Sequence, residues 1–117
     1  MASIFKQQHE QAVMDAAQAG QDYLDKYFNG QDGGACGFAW VMVFPPNKGN
    51  TRAGRDERRM LESIGFRKDV YGKAWRLNNP GQIRAQNIDA KSASAQAYAD
   101  TMNELAVFDF QVSERLD

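Results

Sequence analysis

The chain lacks a second cysteine. Cys36 stands alone, so no intrachain disulfide can form, and the fold must rest on packing. A lone thiol also fits a reducing compartment. There is only one histidine, and His9 with Cys36 cannot supply the four ligands of a structural zinc site. Long apolar runs are missing as well. The longest, Phe38 to Phe44, falls far short of the roughly 20 residues that a membrane-spanning helix needs. Met1 to Ala12 has no charged, apolar and small-residue pattern of a signal peptide. These absences predict no membrane partner and a cytoplasmic location, in a bacterium or a virus-infected cell. No paired carboxylates stand out, and the spacing G-x-x-x-x-G-K-[ST] of a P-loop does not occur. Neither a cofactor nor a catalytic constellation is expected. A nucleophilic Cys36–His9 pair would need the helix carrying His9 to lie beside Cys36.

What is present is the composition of a globular domain: 117 residues, 43% hydrophobic, 25% charged and 11% aromatic. That length suits one domain, 1–117, and buries roughly two-thirds of the unfolded surface. The net charge of −1 hides a strong asymmetry. Between Lys48 and Arg84 there are ten basic and four acidic residues, a balance of +6; the remainder carries −7. Such a split predicts a positive and a negative pole, which meet each other or meet something else.

Hydrophobic periodicity predicts a long amphipathic helix over 4–28, capped by Ser3 and stopped at Asn29-Gly30. Ala35 to Phe44 reads as a strand apolar on both sides, with Phe38, Trp40, Met42 and Phe44 on one face and Ala39, Val41 and Val43 on the other. Such a strand is expected in the middle of a sheet with both faces covered. Pro45-Pro46 ends it. Thr51 or Asn50 then caps a helix to about Ser63, which Gly65 terminates. Phe66–Val70 and Lys73–Leu77 read as a hairpin turning at Tyr71-Gly72, with Trp75 in the core and Tyr71 at the rim. Asn78-Asn79-Pro80-Gly81 breaks the chain. Asp89 is the expected cap of a helix to about Ala106, and Val107–Val112 reads as a last strand before a loose tail, Ser113 to Asp117. The fold class is therefore α+β: a four-stranded antiparallel sheet of ferredoxin-like (β-α-β-β-α-β) order over 35–112, with an additional N-terminal helix. That helix is expected over the otherwise open sheet face, unless a second subunit meets the face instead.

The stretch from Pro45 to Arg59 holds the first candidate site. Lys48, Thr51, Arg52, Arg55 and Arg59 gather around a helix start, where free N–H groups and the helix dipole favour an anion. Arg52, Arg55 and Arg59 share one helical face, although Asp56 and Glu57 are near enough to pair with them. A second candidate is the strand itself. Gly37-Phe38-Ala39-Trp40-Val41 resembles the RNP1 signature of RNA-recognition domains, K/R-G-F/Y-G/A-F-V-x-F/Y. Cys36 stands where a cation belongs, and Val43 where an aromatic belongs. The segment also leads the first strand of the core, whereas RNP1 occupies the third. A buried core strand is the preferred reading.

The runs CGFAWV, KGNTRAGRDERR, GFRKDVYGKAW and NPG, spanning Cys36 to about Gly81, resemble small proteins encoded by bacteriophages and prophages. The resemblance implies a genomic setting rich in small binding proteins, and carries no activity with it. The expectation is a non-enzymatic accessory protein engaging an anionic partner through the basic region 48–84. The partner would be nucleic acid, a phosphorylated ligand or an acidic surface of a host or phage protein. The alternative is a structural protein forming homo-oligomers through the sheet face and the N-terminal helix.

Overall fold

The computed structural model describes residues 2–70 and 72–117. Met1 and Tyr71, with the start of the chain and part of the expected hairpin turn, lie outside the described residues. The elements run α1 (Ala2–Phe28), β1 (Gly37–Val43), α2 (Arg52–Ser63), β2 (Arg67–Lys68), β3 (Trp75–Asn78), α3 (Ile88–Asn103) and β4 (Gln111–Leu116). The fold is α+β, with one four-stranded antiparallel sheet in the order β2-β3-β1-β4. β1 and β3 are the central pair.

α1 starts at Ala2, so Ser3 lies inside the helix and is not its cap. The helix stops where expected. Asn29 and Gly30 turn left-handed (φ 54° and 80°), and the Gly30 N–H donates to the Leu24 carbonyl at 2.9 Å. That bond satisfies a carbonyl the helix leaves without a partner. The buried side of α1 carries Phe5, Ala12, Ala16, Gly20 and Leu24. Its small residues let α1 lie close to α3: a Cβ on Gly20 would sit 3.4 Å from the Ala90 carbonyl oxygen. Polar contacts fix the pairing. Thr101 donates to Asp15 at 2.7 Å, and the Gln8 amide donates to the Thr101 carbonyl at 2.7 Å.

α3 is thus enclosed between α1 and the sheet. Its inner residues, including Ala95, Tyr98, Ala99 and Met102, are fully buried. Tyr98 joins Phe66, Phe108 and Phe110 in a chain of tilted and edge-to-face rings, which Phe5 of α1 extends through Phe108. Ala39, Val41 and Val43 turn the inner side of β1 into this core. On α3 beside Gly81, the Ser94 hydroxyl is buried with no hydrogen-bond partner among the described residues. Ser94→Ala is expected to raise stability by about 1 kcal/mol, because it removes an unsatisfied polar group at little cost in volume. Urea unfolding checks this; a lower midpoint would mean that the hydroxyl is bonded after all.

Three expectations need correction. First, α1 packs on α3 and does not cover the outer face of the sheet, so β1 is not enclosed on both sides. Phe38 and Phe44 are 43% and 53% exposed. Second, α3 is capped by Asn87, not Asp89. The Asn87 side chain accepts from the Ala90 N–H at 2.8 Å and also donates to the Gly33 carbonyl, tying the cap to the turn before β1. Asp89 falls in the first turn, where its charge complements the dipole. Third, the last strand is not Val107–Val112 with a loose tail behind it. Phe108 and Phe110 are buried in the approach, and the strand is Gln111–Leu116, six residues paired with β1 from Met42↔Gln111 to Gly37↔Leu116. β2 is also shorter than Phe66–Val70, and β3 lies slightly later than Lys73–Leu77.

Candidate anion-binding face

Thr51 caps α2 as expected, and in doing so spends its hydroxyl. The hydroxyl accepts from the Gly54 N–H at 3.0 Å and donates to the Lys48 carbonyl at 2.6 Å. Gly54 is buried beneath that same carbonyl, and a Cβ there would collide with the Lys48 oxygen. The Lys48 carbonyl therefore packs against the flank of the first turn of α2. Arg55 folds back on the Asn50 carbonyl at 3.1 Å. Arg59 pairs with Asp56 at 3.2 Å, an exposed contact of small worth. Glu57 accepts from the backbone and side chain of Asn47, placing a carboxylate beside the loop. Arg52 is exposed. Lys48 alone of the five expected residues lines a hollow of about 300 Å³ below Pro45-Pro46, where it meets Arg58, Lys68 and Lys73.

The outer face of the sheet is built differently. Strand alternation places Phe38, Trp40 and Met42 on it. Register adds their neighbours: Arg115 stands opposite Phe38, Asn78 and Ser113 opposite Trp40, and Arg76 opposite Met42. The Arg76 guanidinium lies 4.1 Å from the centre of the Trp40 ring. The Arg115 guanidinium lies 5.6 Å from the centre of Phe38, and the Lys91 ammonium 5.4 Å. Both distances are within cation–π reach. Asn78 accepts from Arg76 at 2.9 and 3.1 Å and holds it in place. These residues line a hollow of about 450 Å³ with no carboxylate in its walls. At its rim Arg76 makes a loose ion pair with Asp69 at 3.8 Å.

Lys91 comes from the helical layer, and Gly37 explains how it reaches the face. A Cβ on Gly37 would clash with Ile88 at 2.5 Å and with the Arg115 carbonyl at 2.7 Å. With no side chain there, Ile88 seats the start of α3 against β1. Lys91, one turn further on, then donates to the Gly37 carbonyl at 3.0 Å. Lys91 is only 7% exposed, and among the described residues that carbonyl is its hydrogen-bond partner. A buried ammonium facing neutral acceptors and other cations is costly unless something negative joins it.

Sequence reasoning singled out neither Lys91 nor Arg115 as a site residue. The signal for Arg115 was the alternation within Gln111–Leu116, and for Lys91 its spacing from Ile88 on a helix that starts beside a glycine. Phe38 and Trp40, the aromatic positions of the partial RNP1 match, do face outward. His9 is engaged with Tyr98, Nδ1 to hydroxyl at 2.7 Å. Burial holds its imidazole below the ordinary value, against an opposing pull from Glu10. Cys36 is an exposed free thiol. Among the described residues no group of three or more His, Cys, Asp or Glu side chains could hold a metal ion, and no helix is long and apolar enough to cross a membrane. The chain matches no protein-family model, no curated protein and no solved structure.

Proposed function

We propose that this is a non-enzymatic binding protein that engages an anionic partner through the outer face of its sheet, by Phe38, Trp40, Arg76, Lys91 and Arg115. The observation that carries the reading is the buried Lys91 ammonium, aimed into a carboxylate-free hollow between two aromatic rings and two guanidinium groups. This keeps the expected class of partner and part of the basic region, and moves the contact from the start of α2 to β1, β3, β4 and the first turns of α3. The strand order, with α2 and α3 as crossovers and α1 packed against α3, supports reading the scaffold as ferredoxin-like with an added helix. The exposed lone thiol fits a cytoplasmic setting, and a phage or prophage origin fits so small a binding module. Self-association through the same face would set Arg76, Lys91 and Arg115 against their own copies in a two-fold contact, which argues for a partner of opposite charge.

Tripolyphosphate serves as a generic probe. In an NMR titration, the Trp40 indole and the Arg76 and Arg115 side-chain signals are expected to shift. Arg76→Ala with Arg115→Ala should weaken binding about tenfold, since each removes a charge-assisted contact at a half-open site. Arg52→Ala with Arg55→Ala and Arg59→Ala should leave it within about twofold, in keeping with exposed charges at a distance. The reverse pattern would return the site to α2.

A further inference from the structure

Resting on that reading, we infer that the anionic partner is single-stranded nucleic acid, with successive bases stacked on Phe38 and on the Trp40–Arg76 pair. Phe38 and Trp40 stand two residues apart on one side of a central strand, which separates them by about 6.6 Å along β1. They form two steps of a platform and not the two walls of a slot for one ring. The Arg76 guanidinium, 4.1 Å from the centre of Trp40, extends the second step, since a guanidinium plane also accepts a stacked base. Stacking from a sheet needs unpaired, splayed bases, which a duplex does not offer.

The cations define a track for the backbone. Arg115, Lys91 and Arg76 gather around the two rings. The same side of β1 continues through Met42 to Phe44, which is 53% exposed. Phe44 also borders a second hollow lined by Lys48, Arg58, Lys68 and Lys73, but Lys68 and Trp75 there are in register with the inward-facing Val43, so that hollow belongs to the helical side of the sheet and not to this face. A mononucleotide would stack on one ring and leave the other unused. A strand of two or more nucleotides uses both, with its phosphates within reach of Arg76, Lys91 and Arg115.

The test is fluorescence anisotropy with a labelled oligothymidylate of about ten nucleotides, within the range of sites on single sheet modules. The single strand is expected to bind at least tenfold more tightly than a duplex of equal length. Log affinity should fall with log salt concentration at a slope of roughly −2 to −4, for three to five phosphate contacts. Phe38→Leu and Trp40→Leu keep apolar bulk but remove the π face; each should weaken binding about tenfold, with the thermal midpoint unchanged. Thymidine monophosphate binding as tightly as the oligomer would overturn the inference and leave the anion-binding face intact. So would tighter binding of polyglutamate, which would identify an acidic protein surface as the partner class. If neither tripolyphosphate, oligothymidylate nor polyglutamate binds, both the inference and the reading beneath it fall.

Discussion

Removing the last five residues, Ser113 to Asp117, is expected to cost roughly 3–5 kcal/mol, a large share of the 5–15 kcal/mol that holds a domain of this size together. The deletion takes away the partners of Gly37, Phe38, Ala39 and Trp40, leaving β4 paired to β1 only at Val41 and Met42. It also removes the Asp117 N–H bond to the Cys36 carbonyl at 3.0 Å. A central strand then becomes an edge, with a row of backbone groups turned out to water. The side chains lost contribute little: Glu114, Arg115 and Leu116 are all exposed. Glu114→Ala and Leu116→Ala should therefore lie within about 0.5 kcal/mol of the parent, as surface substitutions usually do. Guanidinium unfolding of the truncated chain beside these two variants separates backbone pairing from side-chain packing. A truncated protein as stable as the parent would mean that Ser113–Asp117 is a loose tail and that the Arg115 position is not fixed.

That tail shows where the chain can be read locally and where it cannot. Asn29-Gly30, Thr51 and Gly65 announce their roles through short-range chemistry, and each does what its residue type predicts. The two-faced character of β1 was equally plain. What covers each face is decided by tertiary packing, and the alanines and Gly20 of α1 fit α3 more closely than they would fit a row of Phe38, Trp40 and Met42. Gln111–Leu116 is an edge strand with most of its side chains exposed, so periodicity gives it little weight; β1 makes it a strand by supplying backbone partners. Asn87 prevails over Asp89 as the cap because its amide can also donate, and the Gly33 carbonyl is there to receive it. The site itself was half legible. Its rings were visible as a strand pattern, but its cations come from three other elements, β3, β4 and α3, which no local spacing brings together. The arginine stripe of α2, the loudest signal in the sequence, owes its prominence to solvent exposure and to local pairing with the backbone and Asp56.

Lys91→Met should weaken the partner's binding about ten- to a hundredfold, the range for losing one buried charge-assisted hydrogen bond of about 1.5–3 kcal/mol. The same change should leave folding stability within about 1 kcal/mol of the parent. The two effects separate because they have different origins. In the free protein the ammonium is removed from water and donates to one carbonyl, that of Gly37, at 3.0 Å. Methionine matches the stem in length, relieves the desolvation of a charge and gives up that single bond, so the folded state loses little. In the complex the ammonium meets an anion in a poorly hydrated wall, where the attraction is stronger than at the surface. Its loss is therefore expected to exceed that of Arg115, whose guanidinium is exposed. Binding isotherms and urea midpoints measured on one preparation decide the matter. If Lys91→Met unfolds the protein while each folded molecule binds as before, Lys91 serves the fold, and the buried charge no longer argues for a ligand.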